Sequence, residues 1–136
     1  MELLVLGSGT CDPSPERGCA GYILKLMGKT FLIDAGPGTH RQLCKMGIDL
    51  ASISEIFITH FHVDHVNDLA AVLFTMVHCL PEKGRDDLLI HGPEGFKENF
   101  ESLTKLYGTQ LTPKGFSIDV KEHGETEKEE VEEEEE

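Results

Sequence analysis

No run of about 18 apolar residues occurs in this 136-residue chain, which excludes a transmembrane helix. The N-terminus, Met1–Thr10, lacks a basic segment, and its apolar run is too short for a secretory signal, so the expected location is cytoplasmic. The four cysteines, Cys11, Cys19, Cys44 and Cys79, form no CxxC pair. That spacing argues against a zinc knuckle and predicts reduced thiols. Positive charge is also scarce. Twelve Lys and Arg stand against 25 Asp and Glu, and no basic stripe is visible, which counts against strong nucleic-acid binding by this segment alone.

The acidity is unevenly spread. Residues 125–136, ETEKEEVEEEEE, carry nine Glu and one Lys, so −8 of the net −13 sits there and −5 is left for the rest. A block of like charge has too little apolar surface to order itself. Residues 123–136 are therefore expected to be an acidic, disordered tail, with docking to a basic partner as the alternative. Residues 1–122 are expected to form one domain. With 39% apolar and 27% charged residues, the chain has the composition and length of a globular protein with its own core.

Hydrophobic periodicity and turn residues give the order of elements. Glu2–Leu6 reads as a strand entering the tight loop Gly7-Ser8-Gly9, and Cys11–Gly18, with Pro13 and Pro15, reads as loop. Cys19–Met27 and Thr30–Asp34 are predicted strands around a Gly28-Lys29 hairpin turn. After the glycine loop 35–38, Thr39 is the expected cap of a short helix, His40–Met46, stopped by Gly47. Glu55–Thr59 is a further strand. Apolar residues at 69, 70, 72, 73, 76 and 77 predict a helix over Asn67–His78, closed by Pro81 and Gly84. Leu88–His91 is a short strand. Pro93–Tyr107 reads as a helix with Phe96, Phe100, Leu103 and Leu106 on one face, and Phe116–Val120 as a last strand. The pattern is α/β with a mixed sheet. Such sheets place their chemistry in loops at strand ends, here 7–18, 35–39 and 60–65.

The last of these loops is the most informative. Residues 59–65 read THFHVDH, putting His60, His62, Asp64 and His65 within six positions at the end of an apolar strand. Imidazole suits zinc, iron, manganese or nickel, and carboxylate suits the harder of these. His60 and His62 alternate along an extended end and can point to one side. A single four-ligand site is hard to close within so short a loop. Two adjacent ions, each taking two of these side chains, are easier to accommodate. Asp34, after the preceding strand, is a candidate for orienting a metal histidine, with a loop-capping role as the alternative. Gly7-Ser8-Gly9-Thr10 is either an anion cradle or a plain turn. His40, His78, His91 and His123 are expected to be structural or exposed.

The sequence His60-Phe61-His62-Val63-Asp64-His65 has the form HxHxDH and resembles the signature of the metallo-β-lactamase fold hydrolases. Leu6–Thr10, Pro13–Arg17, the hairpin, Phe31–Thr39 and Thr59-His60 resemble the ribonuclease Z branch, which trims the 3′ end of tRNA precursors. The resemblance covers about residues 2–120. It implies half of an αββα sandwich, with a mixed sheet and helices on one face. It also implies a first metal on His60 and His62, and a second on Asp64 and His65, with Asp64 also moving a proton. Zinc is the usual metal, two ions in the complete site, with Mn2+ or Fe2+ as substitutes. The implied reaction is metal-assisted hydrolysis of a phosphodiester, in an RNA such as a tRNA precursor. Related branches hydrolyse a small lactone, thioester or sulfate ester.

The family's second half supplies a further histidine, a bridging aspartate and a last histidine, and no Asp follows Asp119 here. The chain therefore reads as the N-terminal half of such an enzyme. The alternative is a non-catalytic fragment that binds a metal or a partner. A half-sandwich leaves an apolar sheet face open, so a homodimer or a partner covering that face is expected.

Overall fold

The computed structural model describes residues 1–80 and 84–124. The acidic run 125–136 and Pro81, the expected helix stop, lie outside them. Six strands form one sheet in chain order: β1 (Glu2–Gly7), β2 (Gly21–Leu26), β3 (Lys29–Ile33), β4 (Ile53–Phe57), β5 (Leu88–Pro93) and β6 (Ile118–His123). The pairs β1–β2 and β2–β3 are antiparallel, and β3–β4, β4–β5 and β5–β6 are parallel. Parallel neighbours need crossovers. These carry α1 (Thr39–Lys45), the short α2 (Val63–Val66) with α3 (Leu69–His78), and α4 (Phe96–Tyr107).

Alternation along the strands decides which face the helices cover. Ile23, Leu32, Ile56, Ile58, Leu88 and Ile90 point inward and join Leu43 of α1, Leu69, Val72, Leu73 and Met76 of α3, and Phe96 and Phe100 of α4 in one buried cluster. The intervening positions share the opposite face. By register these are Leu3 and Val5 of β1, Tyr22 and Leu24 of β2, Phe31 and Ile33 of β3, Phe57 of β4 and Leu89 of β5. None of them belongs to the cluster. Leu3 is 58% exposed, Val5 53%, and the others are half-buried. The mixed sheet with helices on one face is the arrangement the sequence predicts, and so is the apolar open face.

Several boundaries differ from the sequence reading. The hairpin turn is Met27-Gly28, one residue early, and both have positive φ, 52° and 76°. This is the handedness a two-residue turn between twisted strands needs. Thr39 is the first helical residue of α1 and not its cap. Gly38 stands at the cap position in a left-handed conformation, and the free amides of Gly38 and His40 donate to Asp68 Oδ2, both at 3.0 Å. The Pro93 helix start is displaced because β5 continues to Pro93, and α4 begins at Phe96. Leu106, placed on one face with Phe96, Phe100 and Leu103, is 75% exposed. The last strand runs Ile118–His123, two to three residues later than expected, so His123 belongs to the sheet and not to the tail. No described helix is long and apolar enough to cross a membrane.

Candidate metal centre

The histidine loop leaves the C-terminal end of β4 and enters α2, with β3 and its loop alongside. Asp34 directly follows β3, at φ 58°, and is 2% exposed. Its buried charge is met by three donors. Oδ1 accepts the Thr59 amide at 2.8 Å, the Thr59 hydroxyl lies 2.9 Å from Oδ2, and His65 Nδ1 lies 2.8 Å from Oδ2. Backbone bonds lock the same two loops: Ala35 N donates to His65 O at 2.7 Å, and Asp68 N to Ala35 O at 2.8 Å. Gly36 makes this approach possible, because a Cβ there would stand 2.1 Å from the Asp64 carbonyl oxygen.

These bonds fix which ring nitrogens are presented. The single hydroxyl proton of Thr59 goes to Asp34, so its oxygen accepts from His60 Nδ1 at 2.9 Å. His65 donates through Nδ1 to Asp34. Both rings thereby turn an Nε2 lone pair outward. His60 lies 4.5 Å from the His62 ring and 4.1 Å from the His65 ring, centroid to centroid. One ligand atom each from His60, His62 and Asp64 lie within 4.8 Å of one another. His65 Nε2 stands 3.5 Å from Asp64 Oδ2. With Nδ1 carrying the proton, that pair is lone pair against carboxylate, an arrangement a cation resolves. The donor set, imidazoles with one carboxylate, fits zinc. All four loop residues converge at one place, with Asp64 beside both His60–His62 and His65.

The other histidines bond elsewhere. His40 Nε2 bonds Thr75 Oγ1 at 2.8 Å and His78 Nε2 bonds the Gln110 carbonyl at 2.9 Å. The amide of Gly9 donates to Gly18 O at 2.7 Å, so that loop is a turn bridged to its own far side. The four cysteines are free thiols. Burial pushes the Cys19 thiol up, helped by the charge of Asp64 and then by Cys11 and Asp68. Sequence reasoning missed the part played by Thr59, which joins His60 to Asp34, and a second polar group on the open face. There His91 lies between Glu55 and His123, at 2.7 Å from each. The signal for that group is register, which sets Phe57 beside His91.

The sequence model of the family described as Anti-Pycsar protein Apyc1 matches residues 1–101. The chain belongs to that family. It is also similar to curated ribonucleases Z. It is 40% identical to the ribonuclease Z of Ignicoccus hospitalis over 103 residues, which is 76% of this chain and 33% of that protein. It is 35% identical to zinc phosphodiesterase ELAC protein 1 of Mus musculus over 112 residues, 82% of this chain and 31% of that one. Among solved structures, human tRNase Z, short form (ELAC1), superposes with a TM-score of 0.74 at 33% identity, covering 91% of this chain and 46% of that one. The metallo-β-lactamase fold protein YhfI from Bacillus subtilis gives 0.67 at 22% identity, covering 90% and 45%, a likeness of fold alone. The sheet and helices of this chain correspond to about half of a metallo-β-lactamase fold. The chain spans about a third of the length of the curated relatives it matches.

Proposed function

We propose that this chain carries one half of a dinuclear-zinc hydrolase site for phosphodiesters, with RNA of the tRNA-precursor class as the substrate. The observation that carries the reading is the convergence of His60, His62 and Asp64 donor atoms within 4.8 Å, with His65 held at the same place by Asp34. The likeness to proteins named ribonuclease Z and zinc phosphodiesterase supports the substrate class and the metal.

His60 and His62 would hold one ion, and Asp64 and His65 the second. Bound zinc supplies Lewis-acid polarisation of the phosphoryl group and lowers the pKa of a coordinated water toward neutrality. The protein's own share is orientation and proton handling. Thr59 and Asp34 set the tautomers of His60 and His65, so that both present Nε2. Asp64 Oδ2 is the acceptor within reach for the proton released at the site. The open sheet face calls for a cover, either a second copy of the chain or a partner carrying the remaining ligands.

The uncovered face favours a second reading, in which the chain binds zinc but turns over substrate only when that face is completed. The test is zinc-loaded chain assayed on bis(p-nitrophenyl) phosphate and on a tRNA precursor, beside His62→Ala and Asp64→Ala. Zinc-dependent cleavage lost in both variants supports the first reading. Zinc retained without cleavage leaves the second. Zinc not bound at the histidine loop overturns both.

A further inference from the structure

Cys11 and Cys19 stand near the two ends of the loop between β1 and β2, and the fold brings those ends together. Gly9 and Cys19 pair in a parallel bridge, and the Gly9 amide donates to Gly18 O at 2.7 Å. The Cys19 thiol donates to the Thr10 carbonyl oxygen at 3.4 Å. That oxygen belongs to the peptide unit that carries Cys11, so the Cys19 sulfur lies within about 6 Å of the Cys11 Cα. The two sulfurs also sense one another: burial, then Asp64, then Cys11 push the Cys19 thiol up. Cys11 is exposed, Cys19 is half-buried, and both are free thiols.

A disulfide needs Cα atoms about 4.4–6.8 Å apart. The bridge already holds Gly9 and Cys19 at ladder spacing, and Cys11 lies two residues further along. Cys19 is the fixed partner. Its amide donates to Pro37 O at 3.3 Å, and a Cβ on Gly36 would stand 2.7 Å from its own Cβ. Cys11 is the adjustable one, because residues 10–18 are exposed and form no helix or strand. We propose that Cys11 and Cys19 are a thiol–disulfide pair, closed by exchange with a small-molecule disulfide of the glutathione class.

Cys11 reacts first, because it is the exposed thiol. It gives its proton to solvent and attacks one sulfur of glutathione disulfide. The S–S bond of that reagent breaks, and one glutathione leaves as thiolate and takes up a proton. Cys19 then gives up its own proton and attacks the Cys11 sulfur of the mixed disulfide, expelling the second glutathione. In sum, two protein thiols are oxidised to one disulfide and one glutathione disulfide is reduced to two thiols. Burial makes Cys19 slow toward reagents in solution. The mixed disulfide on Cys11 is delivered beside it, so the second step runs at a high effective concentration. Gly36 lies between Cys19 and the Asp64 carbonyl, so the new bond ties the loop to the wall of the metal centre without using a ligand.

The test uses the full chain with the exposed Cys44→Ser and Cys79→Ser, equilibrated with mixtures of glutathione and glutathione disulfide, then alkylated and digested with trypsin. Cleavage after Arg17 falls inside the loop, so the pair is read as residues 1–17 joined to residues 18–25. Expected is this linked product, formed with an effective concentration about tenfold or more above that of the same chain in concentrated urea. Cys19→Ser should stop at Cys11 carrying one glutathione. Circular dichroism checks that the sheet is retained, and the parent chain, mapped by the same two peptides, gives the answer if the serines disturb folding. A native chain that ends with glutathione on Cys11 and a free Cys19, or that closes no more readily than the unfolded chain, would mean two independent thiols and would overturn the proposal. Neither hydrolysis nor zinc binding is the readout, so the result stands apart from the function proposed for the histidine loop.

Discussion

Asp34 Oδ2 holds the His65 ring from behind, 2.8 Å from Nδ1, while the same carboxylate takes the amide and hydroxyl of Thr59. One buried side chain thus ties the end of β3 to both ends of the histidine loop. Asp34→Ala leaves three donors without their acceptor. Each unsatisfied group costs about 1–3 kcal/mol, and Thr59 and His65 are partly reachable by solvent, so a loss of about 3 kcal/mol in urea unfolding is expected. Zinc affinity should fall about 10- to 100-fold, because His65 loses its orienting partner. A folded variant that binds zinc as tightly as the parent would remove Asp34 from the site.

Asp68 does for α1 what the sequence assigns to Thr39. Its carboxylate accepts from two amides at the start of the helix, across 30 residues of chain. Asp68→Ala should cost about 1 kcal/mol, the usual loss on removing a helix cap. The α1 amides of Gly38 and His40 should gain hydrogen exchange first. A Thr39→Ala variant should cost less than a cap removal, because its hydroxyl is buried without a partner among the described residues. Thermal unfolding of the two variants separates the assignments.

The histidine loop and the order of elements were legible in the sequence because both are local. Strand alternation fixes which residues face the helices, and the four ligand types stand together in six positions. What was not legible depends on pairings between distant residues. Nothing near Thr39 announces that Asp68 will cap it. His91 reads as an isolated histidine until the parallel register sets it against Phe57, with Glu55 and His123 in reach. The end of β6 was missed because Lys121 and Glu122 are charged and exposed. An edge strand tolerates such residues, and pairing with β5 carries it on to His123.

Cys19 should be slow to react. Burial raises its pKa, and the negative charges of Asp64, Cys11 and Asp68 add to that. The thiolate is the nucleophile, so less of it is present at pH 8 than in an ordinary exposed thiol. The folded state holds this proton more tightly than the unfolded state does. The resulting stability is present below the ordinary thiol range and is lost as pH rises through the folded value. A time course of iodoacetamide labelling from pH 7 to 10, read by peptide mass, should show Cys19 modified last and only on the alkaline side. Modification of Cys19 at the rate of the exposed Cys44 at pH 8 would contradict this.

The face opposite the helices predicts self-association. Leu3 and Val5 are 58% and 53% exposed, and Tyr22, Leu24, Phe31, Ile33 and Phe57 continue the apolar surface across three more strands. Contiguous apolar patches beyond a few hundred Å² are rare on monomers and mark contact surfaces. At tens of micromolar the chain should therefore sediment above its 15.1 kDa mass. Leu3→Lys with Val5→Lys tests the face directly. Both residues stand on edge strand β1 and already meet solvent, so the charges cost the fold little while opposing burial against a second copy. The pair should shift sedimentation toward the monomer and leave far-ultraviolet circular dichroism unchanged. A parent chain that stays monomeric and binds no hydrophobic dye would mean that the patch is too small or too broken by Glu55, Asp119 and Lys121 to drive association. The cover would then have to come from a partner with charges placed to meet those three.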